Sequence, residues 1–268
     1  MAPLASSNQH VQLLRRLVGR RSARSDAGVF VVEGPVLVAE AIRSAHRIRA
    51  VYADVAVSAD IESLGRDVAA MLDATGVLVC TVSAGVLGRV LSTVSPQPWC
   101  AIVESPLVDA SEVIAAPGPV VACVGISDPG NLGTVVRSAE AMGAAGVLVT
   151  AGSVDPLAPK VVRASAGSVL RVPLGEVAAP DLSELAHASG RSLVGLSGAS
   201  GDDLWSSDLG DRTILCVGNE AAGLPAGLEL DGLIAVAMVG EVESLNAAVA
   251  TSIVLAELAR RRRTSPTH

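Results

Sequence analysis

The segment that identifies the fold class is VVACVGISDPGNLGTVVRSAEAMGAAGVLVT, residues 120–150. Residues 120–126 form an apolar run, which is typical of a parallel strand buried on both faces. The Ser, Asp, Pro and Gly of residues 127–130 predict a turn, followed by a helix at about 131–143 and a strand at 147–150. Because strand, turn, helix and strand follow one another so closely, the segment predicts an α/β domain around a mostly parallel sheet.

The alternation of strands and helices continues on both sides of this segment. Toward the C-terminus it predicts strands at 192–196, 214–217 and 233–238, and helices at 160–166, 181–189 and 244–263. Toward the N-terminus it predicts strands at 29–32, 48–53, 77–82 and 101–103, and helices at 11–24, 36–45, 60–73 and 84–92. Residues 105–118 have no clear periodicity and end in Pro-Gly, so they predict a linker between a domain at 1–104 and a domain at 119–268.

The composition excludes several classes of protein. Half of the 268 residues are hydrophobic and the mean hydropathy is +0.50, which is the reverse of a disordered chain. The longest apolar runs are far shorter than the roughly 18 residues that a membrane span needs, so no membrane partner is expected. The net charge of −7 is an average, because residues 1–50 carry +5 and the remainder carries −12.

Single residues exclude further chemistry. The one lysine, Lys160, lies between Pro159 and Val161, so the chain has no P-loop, and the turn at 127–130 has no GxGxxG pattern for a dinucleotide. An ordinary nucleotide-dependent α/β enzyme is therefore disfavoured. The four cysteines have neither CxxC pairing nor metal-ligand spacing with histidine, which predicts buried, reduced thiols and no metal. Residues 1–10 lack the apolar core of a signal peptide, so a cytoplasmic protein is expected.

The first candidate motif is N-x-G-x-x-x-R, which contains Asn131 and Arg137. It follows the strand at 120–126 and opens a helix, so free backbone N–H groups meet at the carboxyl end of the sheet, where anionic ligands bind. Asn131 can donate and accept hydrogen bonds, and the planar guanidinium of Arg137 matches a phosphate. A turn that merely starts a helix, with Arg137 on its solvated side, explains this pattern equally well.

Two further motifs follow later strands. GNEAAGL, residues 218–224, places Glu220 at the end of an apolar strand, although the start of a capped helix would explain this acid too. Ser244-Leu245-Asn246 then opens a long Ala-rich helix, for which Ser244 is the natural N-cap. Each of these motifs alone has a purely structural explanation.

Together and in this order, the three motifs resemble the SpoU (TrmH) family of RNA ribose 2′-O-methyltransferases, of the SPOUT superfamily. The resemblance covers about residues 119–262 and includes KVVRASAGS at 160–168. The chain departs from the family pattern at Ala221, Ala237 and Ala247-Ala248. The resemblance implies a SPOUT-type, mostly parallel sheet with a C-terminal deep trefoil knot, preceded by a small L30e-like α/β domain that binds RNA.

The resemblance also implies a cofactor, a reaction and a set of site residues. S-adenosylmethionine is expected in the knot, against backbone groups around Leu196, Gly218, Val236, Met238 and Leu245. The methyl group would go to a ribose 2′-hydroxyl, with ribosomal RNA favoured over tRNA because the N-terminal domain suits folded RNA. Arg137 is expected to activate the hydroxyl, either as a base or as a clamp on the substrate phosphate, and the orienting groups are Asn131, Glu220, Ser244 and Asn246.

Arginines are the candidate contacts to RNA phosphates. The candidates are Arg15, Arg16, Arg20, Arg21, Arg24 and Arg163. A solvated helix face is the alternative for the N-terminal five, and Arg260–Arg263 would either contact RNA or form a frayed tail. The family further implies a homodimer. A non-catalytic RNA-binding module is the competing class, and the joint presence of Asn131, Arg137, Glu220 and Asn246 argues against it.

Overall fold

The computed structural model describes residues 2–55, 72, 76–93, 99–198, 200–242 and 244–264. Within it the chain divides into two compact units. The first contains Met1–Pro106 and Leu157–Leu170, and the second contains Leu107–Pro156 and Arg171–His268. The segment at 157–170 therefore groups with the N-terminal unit, although the sequence assigns it to the C-terminal domain. The helix predicted at 60–73 lies outside the described residues except for Leu72.

The described residues form helices and strands in the alternating order that the sequence predicts. The helices are α1 (Gln9–Gly19), α2 (Arg21–Ala27), α3 (Pro35–Arg43), α4 (Val86–Val90), α5 (Ala110–Ala115), α6 (Pro129–Ala141), α7 (Pro159–Ala164), α8 (Asp181–Ala188) and α9 (Ala247–Thr264). The strands are β1 (Val29–Glu33), β2 (Ile48–Asp54), β3 (Val79–Val82), β4 (Trp99–Glu104), β5 (Leu107–Val108), β6 (Val120–Cys123), β7 (Gly146–Thr150), β8 (Leu174–Val177), β9 (Ser192–Ser197), β10 (Asp202–Asp203), β11 (Thr213–Val217) and β12 (Gly232–Ala235).

The first unit contains a four-stranded sheet in the order β1-β4-β2-β3. Strand β4 runs antiparallel to both of its neighbours, and β2 pairs with β3 in parallel. Helix α1 packs on this sheet through Val11, Leu14 and Leu17, whose spacing places them on one helix face and which are fully buried. The helix predicted at 11–24 is in fact two helices, because Arg20 has an extended backbone that interrupts it.

The second unit contains an eight-stranded sheet in the order β10-β12-β9-β11-β6-β7-β8-β5. Every pair of neighbouring strands in it is parallel, which confirms the mostly parallel sheet predicted from the sequence. Strands β6, β7 and β11 are buried at every residue, as their continuous apolar runs indicate. Helix α6 covers the sheet with Leu132, Val135, Val136 and Ala139, the i, i+3, i+4, i+7 face of an amphipathic helix.

Three parts of the second unit differ from the prediction, and one of them is the two-residue strand β10. The segment predicted as a linker at 105–118 contains β5 and α5, and α5 buries Val113 and Ile114. Asp109 and Glu112 form a capping box at the start of α5, a signal that the sequence carries and that periodicity misses because the helix is so short. Strand β8 was also not predicted, since its sequence LGEV contains residues that are depleted in strands.

Three of the four cysteines are buried, as predicted, and Cys80 is partly exposed. All four cysteines are free thiols, and burial raises the pKa of Cys123 and of Cys216 to about 12. Among the described residues, no helix is both long enough and apolar enough to cross a membrane.

The arginine run at the C-terminus is part of the fold, so the prediction of a frayed tail at Arg260–Arg263 is wrong. Helix α9 continues to Thr264. Arg261 donates hydrogen bonds to the carbonyl oxygens of Leu204 and Ser207 at 2.7 and 2.6 Å, and Arg262 donates to the carbonyl oxygen of Gly143 at 2.7 Å. These bonds hold the last turn of α9 against the loop after β10 and against the end of α6.

The ion pairs at the end of α9 predict a pH-dependent stability. Hydrogen bonds from Arg260 and Arg261 lower the pKa of Glu257 from its usual 4.5 to about 2. A carboxyl whose pKa is lower in the folded state stabilises the fold fully above its unfolded pKa, and this contribution is lost as the pH falls through the folded pKa. The difference in unfolding free energy between wild type and Glu257→Gln, measured in urea, should therefore shrink as the pH is lowered from about 5 to about 2.

A matched variant controls for general acid effects. Glu229 has an exposed side chain, so the stability difference between wild type and Glu229→Gln should stay small at every pH. If the difference in unfolding free energy between wild type and Glu257→Gln were constant across the acid range, it would contradict the lowered pKa of Glu257.

Candidate active site

The candidate site lies at one edge of the parallel sheet of the second unit. Strands β12, β9, β11 and β6 are parallel neighbours, so their carboxyl ends meet at the same edge. The three sequence motifs follow β6, β11 and β12, and the structure places them side by side at this edge.

An ordered loop after β6 leads into α6, the helix that carries the first motif. Gly125 has a φ of +69°, a conformation that favours glycine, and its N–H donates to Thr150 Oγ1 at 3.2 Å. Asp128 caps α6, because its Oδ1 accepts a hydrogen bond from the backbone N–H of Asn131 at 2.8 Å. With Pro129 in the first turn, this cap fixes the start of the helix and holds Asn131 at the sheet edge.

The second motif is a tight turn between Asn219 and Gly223. The backbone N–H of each residue donates to the carbonyl oxygen of the other, at 3.1 and 2.8 Å. Gly218 permits this turn, since a Cβ atom there would lie 2.4 Å from the carbonyl carbon of Gly223. The turn leaves Glu220 with an exposed carboxylate.

The third motif precedes α9. Asn246 Oδ1 accepts hydrogen bonds from the backbone N–H groups of Ala248 and Val249, at 3.0 and 3.2 Å. Asn246 is therefore the side chain that caps this helix, and the prediction of Ser244 as the N-cap is wrong. Helix α9 begins at Ala247, and Ser244 lies in the preceding exposed segment.

A chain of side-chain hydrogen bonds joins the three motifs. Asn246 Nδ2 donates to Asn131 Oδ1 at 2.9 Å, and Asn131 Nδ2 donates to Glu220 Oε1 at 2.5 Å. The hydrogen bonds thus run in one direction, from the backbone N–H groups of the first turn of α9 through Asn246 and Asn131 to the Glu220 carboxylate. The chain holds Oε1 of Glu220 in one place and leaves the carboxylate exposed at the surface.

A cavity of about 350 Å³ opens next to this chain of hydrogen bonds. The five residues predicted to surround a cofactor all line it: Leu196, Gly218, Val236, Met238 and Leu245. Glu220, Ser244 and Asn246 line it as well. The strand predicted at 233–238 ends at Ala235, so Val236 and Met238 lie beyond the pairing with β9, at the cavity wall.

Arg137 lies outside this cavity. It is on the exposed side of α6, opposite the buried face of that helix, and it forms no hydrogen bond or ion pair with the described part of the chain. Its guanidinium is therefore available to a ligand that approaches from solvent.

The other candidate arginines belong to the first unit. Arg15, Arg16, Arg20 and Arg21 are exposed. Arg24 is 6% exposed and donates to the carbonyl oxygen of Leu17, so it links α2 to the end of α1. Arg163 donates to Glu33 Oε2 at 2.6 Å and to Ser92 Oγ at 2.8 Å. The side chains of both Arg24 and Arg163 are therefore already bound to other residues of the first unit.

Asn219 and Thr150 bind the loop before α6 through Gly125, and neither was among the predicted site residues. Asn219 was visible in the sequence as the middle residue of Gly-Asn-Glu, where its side chain can cap a turn. Thr150 carries no comparable signal, because it reads only as the last residue of a strand. The described residues contain no group of three or more His, Cys, Asp or Glu side chains that could hold a metal ion.

The fold and the site define an α/β protein that binds a ligand at the carboxyl edge of a parallel sheet. A model described as the SpoU rRNA Methylase family matches residues 118–256, and a model described as an MRM3-like substrate binding domain matches residues 8–101. The chain belongs to the SpoU rRNA methylase family.

Individual proteins are similar over half or all of the chain. A tRNA/rRNA methyltransferase of Synechocystis, named as uncharacterized, is 41% identical over 140 residues, which are 51% of this chain and 51% of that protein. The 23S rRNA (uridine(2479)-2′-O)-methyltransferase of Streptomyces viridochromogenes is 29% identical over 97% of this chain and 92% of its own length. The crystal structure of the SpoU methyltransferase AviRb from the same organism, in complex with AdoMet, has a TM-score of 0.85 at 29% identity and covers 97% of this chain and 100% of that one.

Proposed function

We propose that the protein is an S-adenosylmethionine-dependent methyltransferase that modifies a ribose 2′-hydroxyl of ribosomal RNA. The observation that carries this proposal is the hydrogen-bonded chain of Asn246, Asn131 and Glu220 at the rim of a ligand-sized cavity. A non-catalytic module would not require this chain to converge on an exposed carboxylate. The 23S rRNA relative and the family's description favour ribosomal RNA over tRNA as the substrate.

The residues around the cavity fit S-adenosylmethionine. Leu196, Val236, Met238 and Leu245 provide apolar surface for an adenine ring, and Gly218 lets a ligand approach the backbone closely. The segment from Val236 onward lies beyond the strand ladder, so its peptide groups can bind the polar edge of the base. When bound, the cofactor supplies a methyl group on a positively charged sulfur atom. The deep trefoil knot around this cavity stays a prediction.

The polar residues at the rim are suited to orient an RNA hydroxyl. Glu220 offers a carboxylate acceptor whose Oε1 is held by Asn131, so a hydroxyl that hydrogen-bonds to it is held in one direction. Arg137 offers a planar guanidinium, which binds phosphate with two parallel hydrogen bonds and hardly deprotonates. We therefore propose that Arg137 is a clamp on the substrate phosphate and that Ser244 contributes a hydroxyl at the cavity wall.

A second copy of the chain is proposed as a partner. Val239, Val242 and Val249 follow β12 or lie in the first turn of α9, and all are exposed apolar side chains. Covering them in a homodimer would remove this apolar surface from water next to the site. The free thiols of all four cysteines suit the cytoplasm, which we propose as the location.

The function is tested by transfer of a tritiated methyl group from S-adenosylmethionine to unmodified 23S rRNA transcripts. Label should appear as 2′-O-methylated nucleotide. Binding of S-adenosylmethionine, measured by calorimetry, without any transfer to ribosomal RNA or tRNA would favour the non-catalytic module. Transfer to tRNA alone would show that tRNA, and not ribosomal RNA, is the substrate. Absence of cofactor binding would reject the proposal.

We propose that Arg15, Arg16, Arg20 and Arg21 contact RNA phosphates, because all four are exposed on α1, on α2 or between them. Each phosphate contact releases counterions, so removing two contacts with Arg15→Ala/Arg16→Ala should reduce the slope of log affinity against log salt by about 1.5. Fluorescence anisotropy with an rRNA fragment at several salt concentrations measures this slope. Arg43→Ala is the matched control, since Arg43 pairs with Glu40 on α3. Equal slopes for the double variant and wild type would contradict the contacts.

A further inference from the structure

Asn219 lies one residue before Glu220 and contacts both its own turn and the loop of the first motif. Its side chain is half-buried, between β11 and the exposed tip of the turn. The proposed roles of Arg137, Glu220 and Ser244 do not explain what Asn219 does.

Within its own turn, the Asn219 side chain is an acceptor. Its Oδ1 accepts hydrogen bonds from the backbone N–H groups of Ala221 and Ala222, both at 3.0 Å. Together with the paired backbone of Asn219 and Gly223, these bonds fix the turn that carries Glu220. The acceptor half of the amide therefore sets the direction of the second motif.

Toward the first motif, the same side chain is a donor. Its Nδ2 donates to the carbonyl oxygen of Gly125 at 2.9 Å, while the N–H of Gly125 donates to Thr150 Oγ1 at 3.2 Å. Gly125 is thus held from two sides, at the point where the chain leaves β6 for the loop that leads into α6. Thr150 is 1% exposed, so its hydrogen bond with the N–H of Gly125 is shielded from water.

We propose that Asn219 is a positioning residue for the methyl-transfer reaction, which sets the distance between the two loops so that Asn131 meets Glu220. This inference rests on the proposed function. A primary amide is required because one group must accept from the turn and also donate to Gly125. Serine can accept from the turn but does not reach Gly125, and aspartate would face the Gly125 carbonyl oxygen with a second acceptor.

The variants Asn219→Ser and Asn219→Asp separate the two halves of the amide. Asn219→Ser should lower kcat about 10-fold, the effect of losing one positioning hydrogen bond. Asn219→Asp should lower kcat further, because repulsion replaces the bond to Gly125. A wild-type kcat for Asn219→Ser would overturn the proposal.

A double-mutant cycle distinguishes positioning from a general loss of structure. If Asn219 acts through the contact between Asn131 and Glu220, Asn219→Ser should have almost no further effect on kcat in an Asn131→Ala background. Additive losses of kcat would show that Asn219 acts elsewhere and would overturn the proposal.

A measurement without substrate separates this inference from the proposed function. Hydrogen exchange of the Gly125 amide, and of the Val154 amide that donates to the carbonyl oxygen of Ile126, should become faster in Asn219→Ser. Exchange in β11 should stay unchanged. Unchanged exchange at Gly125 would overturn the positioning role of Asn219, even if the wild-type protein methylates RNA. Absence of methyl transfer by the wild-type protein would reject the proposed function, but it would not affect the exchange result.

Discussion

Replacing Arg137 with alanine is expected to lower methyl transfer to RNA by about 10²- to 10³-fold, the usual cost of removing one preorganised polar group from a reaction site. The guanidinium is exposed on α6 and has no partner in the described part of the chain, so it is available to bind the substrate. Alanine removes this contact. Because Arg137 does not line the cavity, the Kd of S-adenosylmethionine should stay within about 2-fold of wild type. Single-turnover transfer of tritiated methyl groups and calorimetry measure the two quantities.

Two comparisons make this prediction specific. Arg137→Lys keeps the charge and loses the planar fork, so partial activity is expected if Arg137 clamps a phosphate. Arg43→Ala removes another exposed arginine, one that pairs with Glu40 and does not line the cavity, and it should be close to wild type. Retained turnover in Arg137→Ala would refute the role assigned to this residue.

Arg191→Met is expected to be the most destabilising single substitution considered. Arg191 is 8% exposed and donates to four backbone carbonyl oxygens: those of Ile114 at 2.7 Å, Gly118 at 2.8 Å, Asp211 at 3.0 Å and Ala116 at 2.5 Å. Burial lowers the pKa of this guanidinium, and the carbonyl groups compensate its charge. Losing these four hydrogen bonds should lower the free energy of unfolding by about 3–5 kcal/mol, because buried carbonyl groups would be left without donors. Urea unfolding followed by circular dichroism measures the change.

The neighbouring Arg212 provides the control. It donates to the carbonyl oxygens of Gly190 and Ser189, but it is exposed, so water can replace it. Arg212→Met should therefore cost less than about 1 kcal/mol. If both variants lost the same unfolding free energy, burial would not be the reason why Arg191 stabilises the fold.

Most strands of the two sheets were predictable, because each is a short apolar run bounded by turn residues. Strands β6, β7, β9 and β11 lie within one to three residues of their predicted ends. Helix α5 and strand β8 escaped prediction, since a six-residue helix and a four-residue strand containing glycine give no periodic signal. The break at Arg20 was also hidden, because the residues on both sides of it favour helix equally.

Charged residues show the limit of reasoning from composition. Arginines in a basic segment look alike in the sequence, yet Arg24 is buried against α1, while Arg15 and Arg16 are exposed. Likewise, Arg191 carries no pattern that separates it from a surface arginine. Burial depends on which carbonyl groups the fold leaves without donors, and neighbouring residues in the sequence do not contain that information.

The identity and order of the motifs are properties of the sequence. Asn131, Glu220 and Asn246 were all named from it, as were five further residues of the cavity lining. Their connection depends on the folded chain, because Asn131 is 89 residues from Glu220 and 115 residues from Asn246. The parallel alignment of β6, β11, β9 and β12 brings these distant side chains to one edge. Hydrogen bonds act only at about 3 Å, so the direction of each bond, and the role of Asn219 between the loops, follow from that alignment.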